Sequence, residues 1–407
     1  MANDNKYIPA LRFPEFQNDG EWKIIELGKF AKIVMGQSPS SEAYNERGEG
    51  VPLLQGNADI RDRHQIVRVY TTDITKMCDI NDIIMTVRAP VGTISRASFQ
   101  SCIGRGVCAI KTNSEYLYQY LISIEQEWDR LASGSTFVSI TSNQIFDRII
   151  LVPLTIQEQK KIADCLLSLD KYIYATKRKL EQLKEYKKGL MQRLFPAKGK
   201  TTPELRFPEF QNDGEWKTDT MENIFDIKNG YTPSKSNPAF WDNGTIPWFR
   251  MEDIRKNGHI LSDSIQHITP IAVKNAGLFP AYSIIVATTA TIGEHALIIA
   301  DSLANQQFTF LTKRKSFDDK LDMIYFHYFM FIVDEWCKRN TNAGGLLSVN
   351  MDSFKKLTIP YPSSILEQKK IAECFISIDK EIDATKRKLE QLKEHKNGLM
   401  QQLFPKL

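Results

Sequence analysis

The sequence of 407 residues predicts an α/β (α+β) protein with two globular domains joined by two long antiparallel coiled-coil helices, its halves related by a pseudo-twofold internal repeat. Three observations lead there. A 13-residue stretch occurs twice, a 39-residue stretch with an apolar heptad seam occurs twice, and the two segments enclosed between them are unlike each other. A period near 200 residues is too long for a stacked solenoid, whose units run about 20–50 residues, so each period is a domain plus its connector. The division that follows is a first domain over 1–154, a helix over 155–197, a second domain over 198–362 and a second helix over 363–407.

The first element is LRFPEFQNDGEWK at 11–23, repeated without change at 205–217. Arg12-Phe13-Pro14-Glu15-Phe16 with Trp22, and Arg206-Phe207-Pro208-Glu209-Phe210 with Trp216, read as an extended lead-in packed through its aromatic side chains. The inserts 24–150 and 218–357 come next. Each begins on a Gly-containing opening, Met35-Gly36-Gln37-Ser38-Pro39 or Asn229-Gly230-Tyr231-Thr232-Pro233. Ile83–Val87, Ser283–Thr288, His295–Ala300 and Phe308–Leu311 have strand character. Ser114–Leu131 and Lys320–Lys338 have helical character, and the mixture gives an α/β domain.

The segment from Glu158 to Pro196 recurs from Glu367 to Pro405 with 30 of 39 positions identical. Ile162, Leu166, Leu169, Ile173, Thr176, Leu180, Leu183, Lys187, Leu190 and Leu194 follow one another in alternating steps of four and three. Ile371, Phe375, Ile378, Ile382, Thr385, Leu389, Leu392, Lys396, Leu399 and Leu403 repeat the spacing. Each run begins after a proline, Pro153 or Pro362, and stops at Leu-Phe-Pro, so each is a helix of about 38 residues, on the order of 57 Å long. A twofold relation between the halves makes the helices antiparallel. Lys187 and Lys396 stand at equivalent seam positions, where a long side chain can carry its charge out to water or fix the alignment.

Composition narrows the function classes. Lys plus Arg number 53 and Asp plus Glu 49, a formal charge of +4, so no blanket basic surface exists. By segment the net charge is −2 over 1–155, +5 over 156–196, −1 over 197–364 and +2 over 365–407. The positive charge therefore lies on the helices, above all in Lys-Arg-Lys at 177–179 and 386–388, either as a solvated face or as a phosphate track. Six dispersed cysteines without a Cys-x-x-Cys pair suit a reducing compartment, and no segment reads as a signal or a membrane span, so a cytoplasmic location is expected.

Phosphate-loop, dinucleotide, zinc-protease and nucleophile-elbow motifs are absent from the sequence. Asn237-Pro238-Ala239-Phe240 lacks the second proline of an adenine methyltransferase motif, and the six histidines lie far apart in the chain. No catalytic or metal-binding residue is expected. Loops rich in guanidinium and amide groups suit base readout instead, since Arg pairs bidentately with guanine and Asn or Gln with adenine. The candidates are Gln55, Asn57, Arg61, Arg63, Arg88 and Arg105 in the first insert, and Lys235, Arg250, Arg255, Asn305, Gln306 and Gln307 in the second.

The two divergent inserts and the Glu-Gln-x-x-Ile-Ala helix openings at Glu158 and Glu367 resemble the specificity (S) subunit of type I restriction-modification systems. So do Gly230-Tyr231-Thr232-Pro233, Ile246-Pro247-Trp248-Phe249-Arg250-Met251-Glu252-Asp253-Ile254 and Ala304-Asn305-Gln306-Gln307-Phe308. In the first insert Val51-Pro52-Leu53-Leu54-Gln55-Gly56-Asn57 is a looser version of the Ile-Pro-Trp block, and no Asn-Gln-Gln counterpart is visible. The resemblance implies that each insert is a target recognition domain reading one half of an asymmetric bipartite site in double-stranded DNA. It implies that the helices set the spacing and dock two methyltransferase (modification) subunits, with Ile162, Leu166, Leu169, Ile173, Leu180, Leu183, Ile371, Phe375, Ile378, Ile382, Leu389 and Leu392 as the spacer and docking residues. It implies further that this chain is not catalytic and binds no cofactor. S-adenosylmethionine, ATP and Mg would serve the methyltransferase and restriction subunits. The alternative is a coiled-coil scaffold joining two protein-binding domains.

Overall fold

The computed structural model describes residues 7–131, 139–274, 277–342 and 347–406. The chain forms two compact units, Met1–Arg178 with Lys386–Leu407, and Lys179–Thr385. Their dividing lines fall inside the long helices, not at the helix ends.

In the first unit, the insert is zipped shut where it begins and ends. Strand Lys23–Glu26 pairs antiparallel with Ile149–Val152, with Lys23 opposite Val152. In the second unit Lys217–Thr220 pairs in the same way with Thr358–Tyr361. Between these seals the two inserts share a strand order that their sequences do not announce. One sheet of the first unit runs Lys32–Met35, Val107–Lys111, Ile83–Thr86, Ile94–Arg96, His64–Gln65, Ile60–Arg61. The second unit runs Phe225–Asn229, Phe308–Lys313, Ile284–Ala287, His295–Ile298, Ile260–Leu261. Each unit adds a second sheet around a parallel pair, Val51–Leu54 with Ser101–Ile103, or Ile246–Phe249 with Leu303–Ala304.

This layering explains the unbroken apolar runs. Ile83–Thr86 and Ile284–Ala287 are buried at every position. Ile83 and Met85 join the helix-side core with Tyr116, Leu117 and Tyr120, while Ile84 joins Leu54 and Ile103 on the opposite face. A strand covered on both faces has no polar positions to alternate with. The helical stretch after Ser114 is broken into Glu115–Ser123 and Glu125–Leu131, whereas Met323–Arg339 is continuous. Ser114 and Asp322 cap the starts by accepting from Leu117 N and from Ile324 N and Tyr325 N, a contribution of about 1 kcal/mol each.

The long helices are Ile156–Leu194 and Ile365–Leu403, 39 residues each and about 58 Å long. Every predicted seam residue is buried or half-buried. In the first unit, Ile162 and Leu166 share a core with Met400 and Leu403, while Asp170 meets Lys396, so the two helix segments there run antiparallel. In the second, Leu190 and Leu194 share a core with Ile371 and Phe375, while Lys187 meets Asp379.

The seam lysines do not carry their charge out to water. Lys396 Nζ donates to Asp170 Oδ1 at 2.6 Å with its side chain only 8% exposed, and Lys187 Nζ donates to Asp379 Oδ1 at 2.6 Å. Each aspartate takes a second donor from the late helix of its insert: Gln119 Nε2 at 2.7 Å on Asp170, Tyr328 OH at 2.9 Å on Asp379. Burial lowers the Lys396 pKa and Asp170 opposes that fall. The seam polar residue therefore ties helix, partner helix and insert together at one point.

The lead-in is likewise more than an aromatic plug. Pro14–Phe16 and Pro208–Phe210 are short 3-10 turns, and the buried residues are Arg12 and Trp22. Arg12 Nε and Nη2 donate to Glu158 Oε1 and Oε2 at 2.7 and 2.8 Å, Nη1 donates to Gly20 O at 2.7 Å, and Trp22 Nε1 donates to Glu158 Oε1 at 3.3 Å. The second unit repeats the joint: Arg206 grips Glu367 at 2.8 and 2.7 Å and Gly214 O at 2.6 Å, with Trp216 Nε1 on Glu367 at 3.3 Å. The Glu of each Glu-Gln-x-x-Ile-Ala motif is thus the acceptor of this joint, and Ile162 with Ala163, or Ile371 with Ala372, enters the core one turn later.

Three of the histidines, distant in sequence, meet in the second unit. His259, His295 and His327 have ring centroids 4.9–6.5 Å apart. His295 lies at 3.1 Å from His327 O through Nε2 and at 2.6 Å from Asp334 Oδ2 through Nδ1. A carbonyl accepts, so Nε2 carries the proton and Nδ1 accepts from a protonated Asp334. Burial, then His259, pushes His295 down to about 3, and burial pushes Asp334 up to about 9. Between about 6.5 and 9 only the folded state holds the Asp334 proton, so stability falls as pH rises through that window; burial lowers the His327 pKa as well, so below about 6.5 His295 and His327 take up protons in the unfolded state, outweigh Asp334, and acid destabilises. Asp334→Asn should abolish the alkaline loss attributable to this pair. Urea midpoints of wild type and variant between pH 6.5 and 9 measure it, and parallel pH dependences would disprove the assignment.

Candidate nucleic-acid interface

In the first unit the backbone brings four loop segments to one place. Gly36 N donates to Val107 O (3.0 Å), Gly104 N to Leu54 O (2.7 Å) and Val87 N to Gly106 O (2.9 Å). Gln55, directly after its strand, is fixed by Asp59, whose Oδ2 accepts from Gln55 N at 2.7 Å. A cleft of about 360 Å³ results, lined among others by Ser38, Tyr44, Gln55, Arg88, Arg105 and Gly106. Gly36 is required by crowding: a Cβ there would stand 2.1 Å from Gly104 O.

The second unit makes the same bonds with other residues. Gly230 N donates to Phe308 O (2.9 Å), Asn305 N to Phe249 O (3.1 Å), Thr288 N to Gln307 O (3.0 Å), and Arg250 N to Asp253 Oδ2 (2.7 Å). A Cβ on Gly230 would lie 2.3 Å from Ala304 O. Position by position, Ser38 matches Thr232, Gln55 matches Arg250, Arg88 matches Thr289, and Gly104-Arg105-Gly106 matches Asn305-Gln306-Gln307. The isolated bridges agree, Arg88 with Ser139 and Thr289 with Ser348. The first insert therefore does have a counterpart of the Asn-Gln-Gln turn. It was invisible because backbone bonds, not side chains, define it.

Of the predicted readers, Gln55, Arg88 and Arg105 converge on the first cleft. Asn57 begins the short turn Asn57–Asp59 beside it, and Arg61 is exposed on Ile60–Arg61. Arg63 is committed elsewhere: Nη1 and Nη2 meet Glu125 at 2.6 and 2.9 Å and Nη1 donates to Ile94 O at 3.0 Å, so its fork is spent inside the domain. In the second unit Asn305, Gln306 and Gln307 form one turn next to Arg250. Arg250 lies 5.9 Å over the Trp248 ring and donates to Glu252 at 3.1 Å, and its Nε has no acceptor among the described residues. Arg255 is exposed on Met251–Asn257, and Lys235 is exposed in the loop after Pro233. Asn237 caps the turn Pro238–Phe240 by accepting from Ala239 N.

Sequence reasoning missed Ser38 and Thr232, the hydroxyls that hold the turns. Arg105 N and Nε both donate to Ser38 Oγ at 3.2 Å, and Thr232 Oγ1 donates to Gln306 Oε1. A hydroxyl followed by Pro after each opening Gly was the available signal.

The twelve seam residues of the helices are buried or half-buried, and the other faces of the helices are the exposed ones. Those faces are not duplicates. Tyr172, Tyr174 and Tyr186 are 51%, 60% and 59% exposed on the first helix, where the second has Glu381, Asp383 and His395. The basic run is partly neutralised, Lys177 by Asp62 and Lys179 by Glu381, each at 2.5 Å. Arg178, Lys386 and Arg387 are exposed and make no ion pair among the described residues. Among the described residues no His, Cys, Asp and Glu side chains are grouped to hold a metal ion, and no helix is long and apolar enough to cross a membrane.

Comparison with known proteins agrees with this geometry. The "Type I restriction modification DNA specificity domain" family model matches residues 19–185 and 213–394. The chain is 50% identical over 129 residues to the type I restriction enzyme EcoprrI specificity subunit of Escherichia coli, covering 32% of each protein. It is 39% identical over 186 residues to the putative type I restriction enzyme MjaX specificity subunit of Methanocaldococcus jannaschii, covering 44% of this chain and 43% of that one. These matches thus span less than half of the relatives' own lengths. The fold is similar to the crystal structure of the type I restriction-modification S subunit from M. genitalium, with a TM-score of 0.61 at 16% identity over 98% of this chain and 99% of that one. A chain from a structure of the type I R-M system gives 0.58 at 16% identity, over 94% and 97%. With its two matched segments covering both units, the chain belongs to the type I restriction-modification DNA specificity family.

Proposed function

We propose that this protein is the non-catalytic specificity subunit of a type I restriction-modification complex, in which each insert reads one half of an asymmetric bipartite DNA target. The observation that carries the proposal is the pair of loop clusters built on the same backbone bonds but carrying different polar side chains. A fixed frame with exchanged contents is what two readers of two different sequences require. The helices space the half-sites and dock two methyltransferase subunits, and restriction subunits complete the assembly. S-adenosylmethionine, ATP and Mg act on those partners, and this chain holds none of them.

Exchanging residues 24–148 with 218–357, end points that match in the register of the two sealing strand pairs, leaves both lead-ins and both helices intact. The complex carrying the exchanged chain should methylate the original target with its half-sites in inverted order, as sequencing of methylated DNA would report. Retention of the original order would refute the proposal and favour a scaffold.

A further inference from the structure

In each loop cluster a hydroxyl holds the tip residue, although the chemistry of that residue differs. At the tip of the turn Gly104-Arg105-Gly106, Arg105 donates from both N and Nε to Ser38 Oγ at 3.2 Å. At the matching tip Gln306 receives the Thr232 hydroxyl on Oε1. A hydroxyl both donates and accepts, so one position orients either side chain. The free ends differ. With Nε occupied, Arg105 keeps Nη1 and Nη2 as a two-pronged donor edge, the complement of guanine O6 and N7. With one lone pair of Oε1 engaged, Gln306 keeps its amide donor and a remaining lone pair, the complement of adenine N7 and N6. Both tip residues are exposed. No other candidate pair shares this support: Arg88 matches Thr289, and Gln55 and Arg250 are held through their backbone nitrogens.

We infer that the tip residue specifies one base in each half-site, guanine for Arg105 and adenine for Gln306, and that Ser38 and Thr232 are positioning residues for this readout. The inference rests on the proposed function above and adds which residue discriminates which base.

The test uses the assembled complex with Arg105→Gln, and separately Gln306→Arg. Sequencing of methylated DNA should show one position of the half-site read by the first insert changing from guanine to adenine, with the other half-site and the gap unchanged. Gln306→Arg should make the reverse change in the other half-site. Duplexes substituted at each target position, bound to the purified complex, give a second readout that does not need methylation. There Arg105→Gln should lower the preference for guanine at that single position about tenfold to a hundredfold. Ser38→Ala should weaken discrimination at the same position, and Ser38→Thr should restore it. Equal weakening on every duplex would overturn the inference, since that is the signature of a phosphate contact. So would an unchanged target, or changes at several positions. If the wild-type complex recognises no bipartite sequence, the proposed function itself fails; if it does and the variants leave the target unchanged, only the tip assignment fails.

Discussion

Glu158→Ala should destabilise the first compact unit by about 3–5 kcal/mol, the range for removing one partner of a buried ion pair. The side chain is completely buried, and its loss strands the Arg12 guanidinium, 5% exposed, together with the Trp22 indole N–H. Glu158 also holds the Arg12 pKa above its ordinary value against the desolvation that would lower it. Replacing both partners by Leu should cost less than Glu158→Ala, because the uncompensated charge is then gone. Hydrogen exchange on the full chain locates the effect. Protection should fall in 7–178 and 386–406 and stay near wild type in 179–385, and Glu367→Ala should give the converse pattern. Uniform loss across both units would contradict the local joint described here.

Reversing the seam charges is the second large effect. Lys396→Asp sets two carboxylates together at a position where the lysine side chain is 8% exposed, and Lys187→Asp does the same beside Asp379. Like charges at such a site disfavour ionisation and oppose packing. Adding Asp170→Lys to the first variant, or Asp379→Lys to the second, restores opposite charges in reversed order. Double-mutant cycles on urea midpoints should give a coupling of about 1–3 kcal/mol for each pair. The Lys396 pair should couple more strongly, since Lys187 is 17% exposed. Zero coupling would mean that the seam lysines are bystanders to helix alignment.

What the sequence made legible follows from where each feature is encoded. The helices were readable because a 3.5-residue period persists over ten seam positions on each, and the helix bounds came within a few residues of the prolines that set them. Ile83–Val87 and Phe308–Leu311 were readable as strands because they are short apolar runs between turns, although the shared strand order of the inserts was not. The Arg12–Glu158 joint was hidden because its partners lie 146 residues apart and each looks like an ordinary surface charge. The histidine cluster was hidden for the same reason, with His259, His295 and His327 on separate elements. Gln55, Arg88 and Arg105 were legible as candidates by residue type, and the fold brings them to one cleft. Arg63 could not be separated from them, since only the fold places Glu125 against its guanidinium.

The division of the chain also orders events in time. The core of the first unit includes Met400, Leu403 and Phe404 packed with Trp22, Tyr116 and Tyr120, and Leu11 N donates to Gln402 O at 2.9 Å. On the ribosome, 207 residues separate Arg178 from Lys386. At about 5–20 residues per second that is a wait of about 10–40 s, with the aromatic floor of the first unit uncovered. The second unit, continuous from Lys179 to Thr385, has by then been made in full. The part begun first is finished last, and a chain halted before residue 400 would present Trp22, Tyr116 and Tyr120 to the chaperones of the cell.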